Sequence, residues 1–155
     1  MIDGLHDEIK QAAPFPRRTT EAMLEIMRTA ALLDHELNEV LRPFGLTPTQ
    51  YNVLRILRGA GQGGLCGRDI AQRLVSTVPD VPRLLDRMET MLLIRRERSE
   101  HDRRYVTARL ATRGRELLEE VTPRLDEVER ARMGSLDDEV LEGLIEGLAE
   151  IRRCP

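Results

Sequence analysis

Arginine is concentrated in one segment of this chain, and that density of guanidinium groups indicates contact with a polyanion. From Arg83 to Arg115 there are ten arginines and five acidic residues, although the whole chain has a formal net charge of −3. The segment therefore carries about +5 and the remainder about −8. Guanidinium groups bond bidentately to phosphate or to guanine. A basic face on an acidic body is typical of a protein that touches nucleic acid with one surface.

Other residue types that could carry chemistry form no recognisable site. Cys66 and Cys154 have neither metal-ligand spacing nor a disulfide framework, and the three histidines are separated in sequence. The glycine-rich residues 59–67 lack the GK[ST] ending of a phosphate-binding loop. We find no nucleophile elbow, no paired catalytic carboxylates and no cofactor motif. The sequence therefore predicts no enzyme, no metal and no cofactor.

Composition predicts a soluble, mostly helical protein. The chain has 155 residues, of which 41% are hydrophobic, only 3% are aromatic and none is Trp. No run approaches the roughly 18 apolar residues of a membrane span, and the acidic N-terminus MIDGLHDEIK is unlike a signal peptide. Two unpaired cysteines suit a reducing compartment. We therefore expect a single cytoplasmic domain with no membrane association.

Three consecutive helices are expected between Pro48 and Met91. Pro48 follows a possible cap and begins one helix, and a short helix is predicted over residues 68–74. A candidate recognition helix then runs from about Val78 to Met91, with Arg83 and Arg87 directed outward. Because Pro82 would remove an internal hydrogen bond, we predict either a distorted first turn or a start near residues 80–82.

A basic hairpin is predicted immediately after the recognition helix. Residues 93–98 and 104–110 alternate as two strands, with residues 99–103 as the tip. Helix, turn, helix and a basic hairpin make a winged helix-turn-helix. A helix fits the ~12 Å wide major groove of DNA, and an arginine-tipped loop suits the narrow, electronegative minor groove.

Long apolar seams occur near both ends of the chain. Apolar residues recur every three or four positions over residues 17–45, where the helix is expected to end near Pro43 and Gly45, and again over residues 112–153, where Ser135 is expected to cap the last helix. Such seams are typical of core helices, but their repetition at both termini favours helices shared with a second subunit. The fold prediction is therefore a mainly α, intertwined homodimer with a small β-hairpin wing. In this single domain of residues 1–155, residues 47–110 form the DNA-binding lobe and the two seam regions form the dimerisation helices.

Four blocks of this sequence, in order, resemble the MarR family of multiple-antibiotic-resistance-type transcriptional regulators. They are LTPTQYNVLRIL, RDIAQRL, VPDVPRLLDRMETMLLIRR and DRRYVTARLATRG, and the resemblance covers about residues 20–152. It implies a homodimeric winged-helix protein that binds a palindromic operator on double-stranded DNA and usually represses nearby genes. It also implies release by a small, often aromatic or phenolic ligand, in a pocket lined by the first, second and fifth helices, or by oxidation.

The resemblance also assigns residues to the DNA-binding surface. The family's wing motif falls at Asp102 and Arg104, where the aspartate holds the wing by a salt bridge and the arginine reaches the minor groove. The predicted DNA contacts lie on the recognition helix, at the wing tip and along the DNA backbone. In that order they are Thr77, Asp80, Arg83 and Arg87; Arg103 and Arg104; and Arg95, Arg96 and Arg98.

Three residues depart from the family pattern and leave two alternatives open. Pro82 replaces a Thr or Ser, Leu92 replaces a glycine, and Ala111 replaces a capping Thr whose role Thr112 would take over. The loss of a hydroxyl at Pro82 suggests a protein-interaction module with weakened DNA reading as one alternative. The other is a redox-responsive regulator that acts through Cys66.

Overall fold

The structure, a computed structural model, describes residues 4–98 and 106–154 of the chain. It consists of two compact units, residues 1–48 and residues 49–155. The expected wing tip, with Asp102, Arg103 and Arg104, lies outside the described residues. No described helix has both the length and the apolar character needed to cross a membrane.

The first unit is dominated by one long helix. The short helix α1 (Leu5–Glu8) buries Leu5 and is followed by α2 (Arg18–Leu41). A 3-10 turn over Arg42–Phe44 ends in Gly45, which has a φ of 68°. Because this left-handed conformation favours glycine, the sequence stops the helix where the Pro-Phe-Gly segment predicted.

The second unit contains the helix-turn-helix and a three-stranded sheet. Its elements are α3 (Pro48–Ala60), β1 (Leu65–Cys66), α4 (Gly67–Arg73), α5 (Val81–Thr90), β2 (Ile94–Arg98), β3 (Val106–Leu110), α6 (Thr112–Met133) and α7 (Asp138–Arg153). The sheet is antiparallel in the order β1-β3-β2, and Ala108 of β3 pairs with Leu65 and Arg96 on its two sides. This arrangement is the predicted winged helix-turn-helix.

An aliphatic core holds this unit together. Its fully buried side chains include Val53, Leu54, Leu57, Ile70, Met88, Leu93, Ile94, Leu118 and Val121. Burying each such side chain stabilises the fold by about 1.5–3 kcal/mol. The core therefore fixes α5 and the sheet, which carry the arginines, to α3 and α6.

The recognition helix, α5, begins three residues later than the Val78 start predicted from periodicity. Asp80 is its N-cap, and a side-chain oxygen of Asp80 accepts a hydrogen bond from the Arg83 backbone N–H at 2.9 Å. Pro82 is the second helical residue, where a backbone N–H has no partner within the helix. The alternative start at residues 80–82 is therefore confirmed, and Pro82 does not distort the helix.

Two capping predictions near the C-terminal seam are wrong. Ser135 does not cap α7, because Asp137 is its N-cap and accepts a hydrogen bond from the Val140 N–H at 2.9 Å. Thr112 does not cap α6, because it is already the first helical residue and Ala111 stands at the cap without a side-chain bond. Ser135 lies two residues before the actual cap of α7, and Thr112 lies one residue after the cap of α6.

The apolar side chains of α2 and α7 are left largely uncovered in the single chain, whereas those of α6 in the C-terminal seam, Leu118, Val121 and Leu125, are buried. No described residue of α7 is buried, and Val140, Ile145 and Ile151 are 50%, 65% and 57% exposed. On α2, Met23 and Met27 are 57% and 61% exposed. Exposed apolar stripes of this kind mark interaction surfaces.

Leu92 occupies a backbone conformation that strongly favours glycine. It follows α5 with a φ of 61°; its N–H donates to the Glu89 carbonyl at 2.9 Å, and the Leu93 N–H donates to the Met88 carbonyl at 3.0 Å. This bond pair is the Schellman ending of a helix, in which the left-handed residue is usually glycine. The departure noted in the sequence therefore stores backbone strain.

We expect Leu92→Gly to raise the free energy of unfolding by about 1 kcal/mol, because glycine removes the left-handed penalty. Chemical denaturation of the purified variant measures this change. Leu92→Ala is the matched control, since it also removes the exposed side chain but keeps the Cβ atom. An equal gain in both variants would contradict the backbone explanation.

Candidate nucleic-acid interface

Two arginines lie on the exposed, outer face of α5, and the opposite face of this helix packs in the core. Val81, Leu85 and Met88 are buried, whereas Arg83 and Arg87 are exposed. Residues four apart lie on the same side of a helix, so the two guanidinium groups share one face. Within the part of the chain that the structure describes, neither arginine forms an ion pair.

A carboxylate pair on α5 binds Arg96 of β2. The Glu89 carboxylate accepts hydrogen bonds from the Arg96 backbone N–H at 2.9 Å and from its Nε and Nη2 atoms at 3.0 and 2.8 Å. Nη2 of Arg96 also pairs with Asp86. The side-chain hydrogen bond from Arg96 lowers the pKa of Glu89, and that same bond raises the pKa of Arg96. These contacts fix the first wing strand to the recognition helix.

Arg96 thus has a different environment from the phosphate contact predicted for it. Its guanidinium group is already bonded to two carboxylates, and its side chain is only 26% exposed. The same pairing neutralises Asp86, which lies between Arg83 and Arg87 in sequence. The outer face of α5 therefore keeps the positive charge of its two arginines.

We expect Glu89→Gln to lower the free energy of unfolding at neutral pH by about 1 kcal/mol or less, because the 39% exposed carboxylate is screened by solvent. The pKa of Glu89 is lower in the folded state than its ordinary value of 4.5. Its contribution is therefore fully present above pH 4.5 and is lost as the pH falls through the lowered folded value.

Thermal unfolding of the parent and of Glu89→Gln across this pH range tests the assignment. The difference between them should be constant near neutral pH and should shrink in acid. Glu142→Gln on α7 is a suitable control, because Glu142 is exposed and has no ion pair within the described residues. A difference that grows as the pH falls would have the wrong sign for a stabilising carboxylate.

The other predicted contact residues differ in their surroundings. Thr77 and Arg98 are exposed, and Arg95 is 64% exposed with its Nε atom 3.4 Å from Glu97 Oε1. Asp80 caps α5, so its carboxylate has a structural partner. Arg103, Arg104 and the predicted Asp102–Arg104 salt bridge lie outside the described residues.

Sequence reasoning missed one residue that positions this surface. The side-chain oxygen of Asn52 on α3 accepts a hydrogen bond from the Val75 N–H at 2.9 Å and so holds the turn between α4 and α5. Neither periodicity nor capping rules point to this bond, because its partners are separated by 23 residues. Val75 itself is 89% exposed beside Thr77 on this turn.

A cleft of about 450 Å³ lies beside the start of the recognition helix. It is lined mainly by small and apolar residues, including Ala71, Val78, Pro79 and Val81. Its volume is within the range of small-molecule sites. The interface therefore adjoins a space in which a bound molecule would touch the first turn of α5.

Two further sequence hypotheses concern other chemistry. Cys66 is a free, half-buried thiol on β1, and Cys154 is free and exposed. Among residues 4–98 and 106–154, no three His, Cys, Asp or Glu side chains are grouped so as to hold a metal ion. Pro82, the sequence argument for an interaction module with weakened DNA reading, fits the helix start, but it still lacks the hydroxyl on which that argument depends, so this alternative stays a prediction.

Comparison with known proteins identifies relatives of the whole fold. The sequence profile of the MarR family matches residues 44–104. A comparison with curated protein sequences gives no significant match. Among solved structures, a MarR transcription factor from Planctomyces limnophilus is 33% identical over 89% of this chain and 99% of its own, with a TM-score of 0.67.

Two other solved structures are similar over most of the chain. AbsC, a MarR family transcriptional regulator from Streptomyces coelicolor, is 30% identical over 90% of this chain and 96% of its own, with a TM-score of 0.77. MepR from S. aureus, in a complex with DNA, is 29% identical over 83% of this chain and 94% of its own, with a TM-score of 0.76. With this identity over nearly its full length, the chain belongs to the MarR family of transcriptional regulators.

Proposed function

We propose that this protein is a sequence-specific DNA-binding transcriptional regulator, a homodimeric repressor that a small-molecule ligand releases from its operator. The observation that carries the proposal is the outer face of α5. Arg83 and Arg87 lie on a core-anchored helix whose intervening acid, Asp86, is neutralised by Arg96. The DNA complex of the similar MepR protein supports the same role for this fold.

The proposed mechanism uses both parts of the winged helix. The exposed face of α5 enters the major groove, where arginine bonds bidentately to guanine. The wing enters the adjacent minor groove, and two copies of α5 must be about one helical turn, ~34 Å, apart to read the two halves of a palindrome. Small changes in that distance therefore control binding.

The contact residues form part of the proposal. Thr77, Arg83 and Arg87 contact bases or the edges of the major groove, and Arg98 contacts phosphates. Arg95, which was also predicted to contact phosphates, is not assigned to DNA, because it neighbours Arg96 in β2 and so points to the sheet face away from α5. Arg103 and Arg104 are assigned to the minor groove, with Asp102 holding the wing. Asp80 and Arg96, predicted as direct contacts, are instead proposed to position α5 and β2, because their charged groups are already bonded.

The two seam regions, residues 17–45 and 112–153, are proposed as the dimerisation helices, with residues 47–110 as the DNA-binding lobe. Exposed apolar side chains on α2 and α7 support this division. A second copy would remove them from water, which favours association by about 25 cal/mol per Å² of apolar surface. A palindromic operator is then matched by a symmetric protein.

An aromatic or phenolic ligand is the proposed effector, and its site is proposed beside α4 and α5 rather than among the first, second and fifth helices expected from the sequence. The cleft beside Pro79, Val81 and Pro82 supports this class, because its lining is largely apolar and it adjoins the first turn of α5. A ligand that binds there only when α5 is displaced would lower operator affinity. The protein is proposed to have no catalytic role or cofactor and to act in the cytoplasm, where it reaches DNA.

Fluorescence anisotropy with the promoter region of its own gene tests the function. We expect saturable binding that is at least 1000-fold tighter than to a shuffled duplex at matched salt, in keeping with the about 10³–10⁷-fold specificity of such regulators. Titration with phenolic acids should then release the duplex. Equal affinity for promoter and shuffled duplex would contradict a sequence-specific regulator.

A further inference from the structure

A second cleft, separate from the proposed effector site, is lined by arginines. It has a volume of about 440 Å³ and lies in the second unit. Its arginines come from four different elements: Arg58 from α3, Arg95 from β2, Arg109 from β3 and Arg115 from α6. Leu57 and Leu110 complete the apolar part of the lining. Guanidinium groups from four elements therefore surround one recess.

The positive charge of this cleft is incompletely balanced. Among the described carboxylates, Glu97 lies within ion-pair distance of two of the arginines, 3.4 Å from Nε of Arg95 and 3.6 Å from Nη1 of Arg109. Arg58 and Arg115 have no ion pair within residues 4–98 and 106–154. Four cations thus share one acid, which leaves a net positive recess.

Arg109, which lines the cleft, carries a hydrogen-bond donor that has no partner among the described residues. Its Nε atom is buried and has no hydrogen-bond partner in the described part of the chain. Gly64, with a φ of 66°, makes room for the arginine, because a Cβ atom there would be 2.6 Å from Cγ of Arg109 and would also meet the Ala108 carbonyl. A buried donor without a partner is costly, so a rotation of the Arg109 side chain that turned this N–H toward an anion in the cleft would remove the cost.

The cleft lies on the face of the sheet opposite the recognition helix. Arg95 pairs with Arg109 across β2 and β3, and the next pair is Arg96 with Ala108. Successive residues of a strand point to opposite faces. Because Arg96 bonds to Glu89 on α5, the Arg95–Arg109 pair points away from α5.

We propose that this cleft binds a small polyanion that carries at least two negative charges, of the phosphorylated-metabolite class. Guanidinium forks match phosphate oxygens, the volume suits a small molecule, and the lining contains no aromatic side chain on which a planar ring would stack. The occupant would bridge both wing strands to α3 and α6. Its effect on operator binding rests on the proposed function, but anion binding itself does not.

Calorimetric titration with inorganic pyrophosphate tests the site on the full chain. We expect saturable binding by the parent and at least a tenfold weaker Kd for the double variant Arg58→Gln/Arg115→Gln. The matched control is Arg55→Gln/Arg113→Gln, which removes the same charge from exposed positions of the same two helices, outside the cleft. Equal weakening in both variants, or the absence of saturable binding to the parent, would overturn the proposal.

A second measurement does not depend on a variant. The NMR resonance of the Arg109 Nε–H group should shift saturably with pyrophosphate, with the same Kd as the calorimetric titration. An unchanged resonance at saturation would place the anion elsewhere.

Duplex titrations distinguish a free anion from a DNA phosphate as the occupant. One outcome would show that the cleft is part of the DNA surface, and the proposal would then fail. In that outcome, Arg58→Gln/Arg115→Gln lowers duplex affinity and its salt dependence more than the control Arg55→Gln/Arg113→Gln does, but leaves pyrophosphate binding intact. If the parent binds pyrophosphate but no duplex, the anion site stands and the proposed function fails.

Discussion

Replacing Leu144 and Ile145 of α7 together by glutamate is expected to convert the protein from a dimer to a monomer. These side chains are 43% and 65% exposed in the single chain, on a helix that buries none of its described residues there. In the proposed dimer they become covered, and an unpaired charge in such an interface costs about 3 kcal/mol or more. The dimer should therefore weaken on the order of 100-fold or more.

Light scattering during gel filtration, at matched protein concentration, measures this change. The control Ser135→Glu/Gly143→Glu adds the same charge at exposed positions, and a Cβ atom at Gly143 meets open space. A variant that remained dimeric would show that the α7 stripe is not the dimer interface. Operator affinity should fall as well, because two linked DNA-binding lobes bind about 10²–10⁴-fold more tightly than one.

Arg83→Ala is expected to weaken operator binding by about 10- to 100-fold, the usual effect of losing a bidentate contact to guanine. Arg83 is exposed at the third position of α5, and its backbone N–H is held by Asp80. The N-terminal half of a recognition helix is the part that reaches base edges. The larger effect should be on the promoter sequence rather than on a shuffled duplex.

Anisotropy titrations on both duplexes separate the two possible roles of Arg83. Loss of a base contact lowers the promoter affinity selectively, whereas loss of a phosphate contact weakens both duplexes and lowers the salt slope by roughly one. Arg152→Ala on α7 is the control for removing one exposed positive charge. Promoter binding equal to that of the parent would remove Arg83 from the interface.

Local signals in the sequence predicted most of the fold. The Pro-Phe-Gly stop of α2, the Pro48 start of α3 and the alternating strands of the hairpin are all confirmed, because each depends on residues within a few positions of one another. For α5 the sequence left two alternatives, a distorted first turn or a start near residues 80–82. The second is correct, because Asp80 caps the helix. Local chemistry fixes the boundaries of these elements.

The candidate site was less accessible to sequence reasoning, because its contacts join elements that are distant in the chain. Arg96 belonged to the basic segment, but its bonds to Asp86 and Glu89 form only when β2 packs on α5. Arg58 and Arg115 meet around one recess although a helix-turn-helix and a hairpin separate them. A count of charges gives the sign of a surface but cannot give the partner of each side chain.

Because Glu89 bonds to Arg96, different residues of α5 attach the hairpin and face outward toward DNA. The inward carboxylate holds the hairpin, while positions 83 and 87 face outward and contribute nothing to that attachment. Substitutions at those two positions would alter which bases are preferred without loosening the hairpin from its helix. Descendants of this protein would thus acquire new target sequences by exchanging two side chains on an unchanged scaffold.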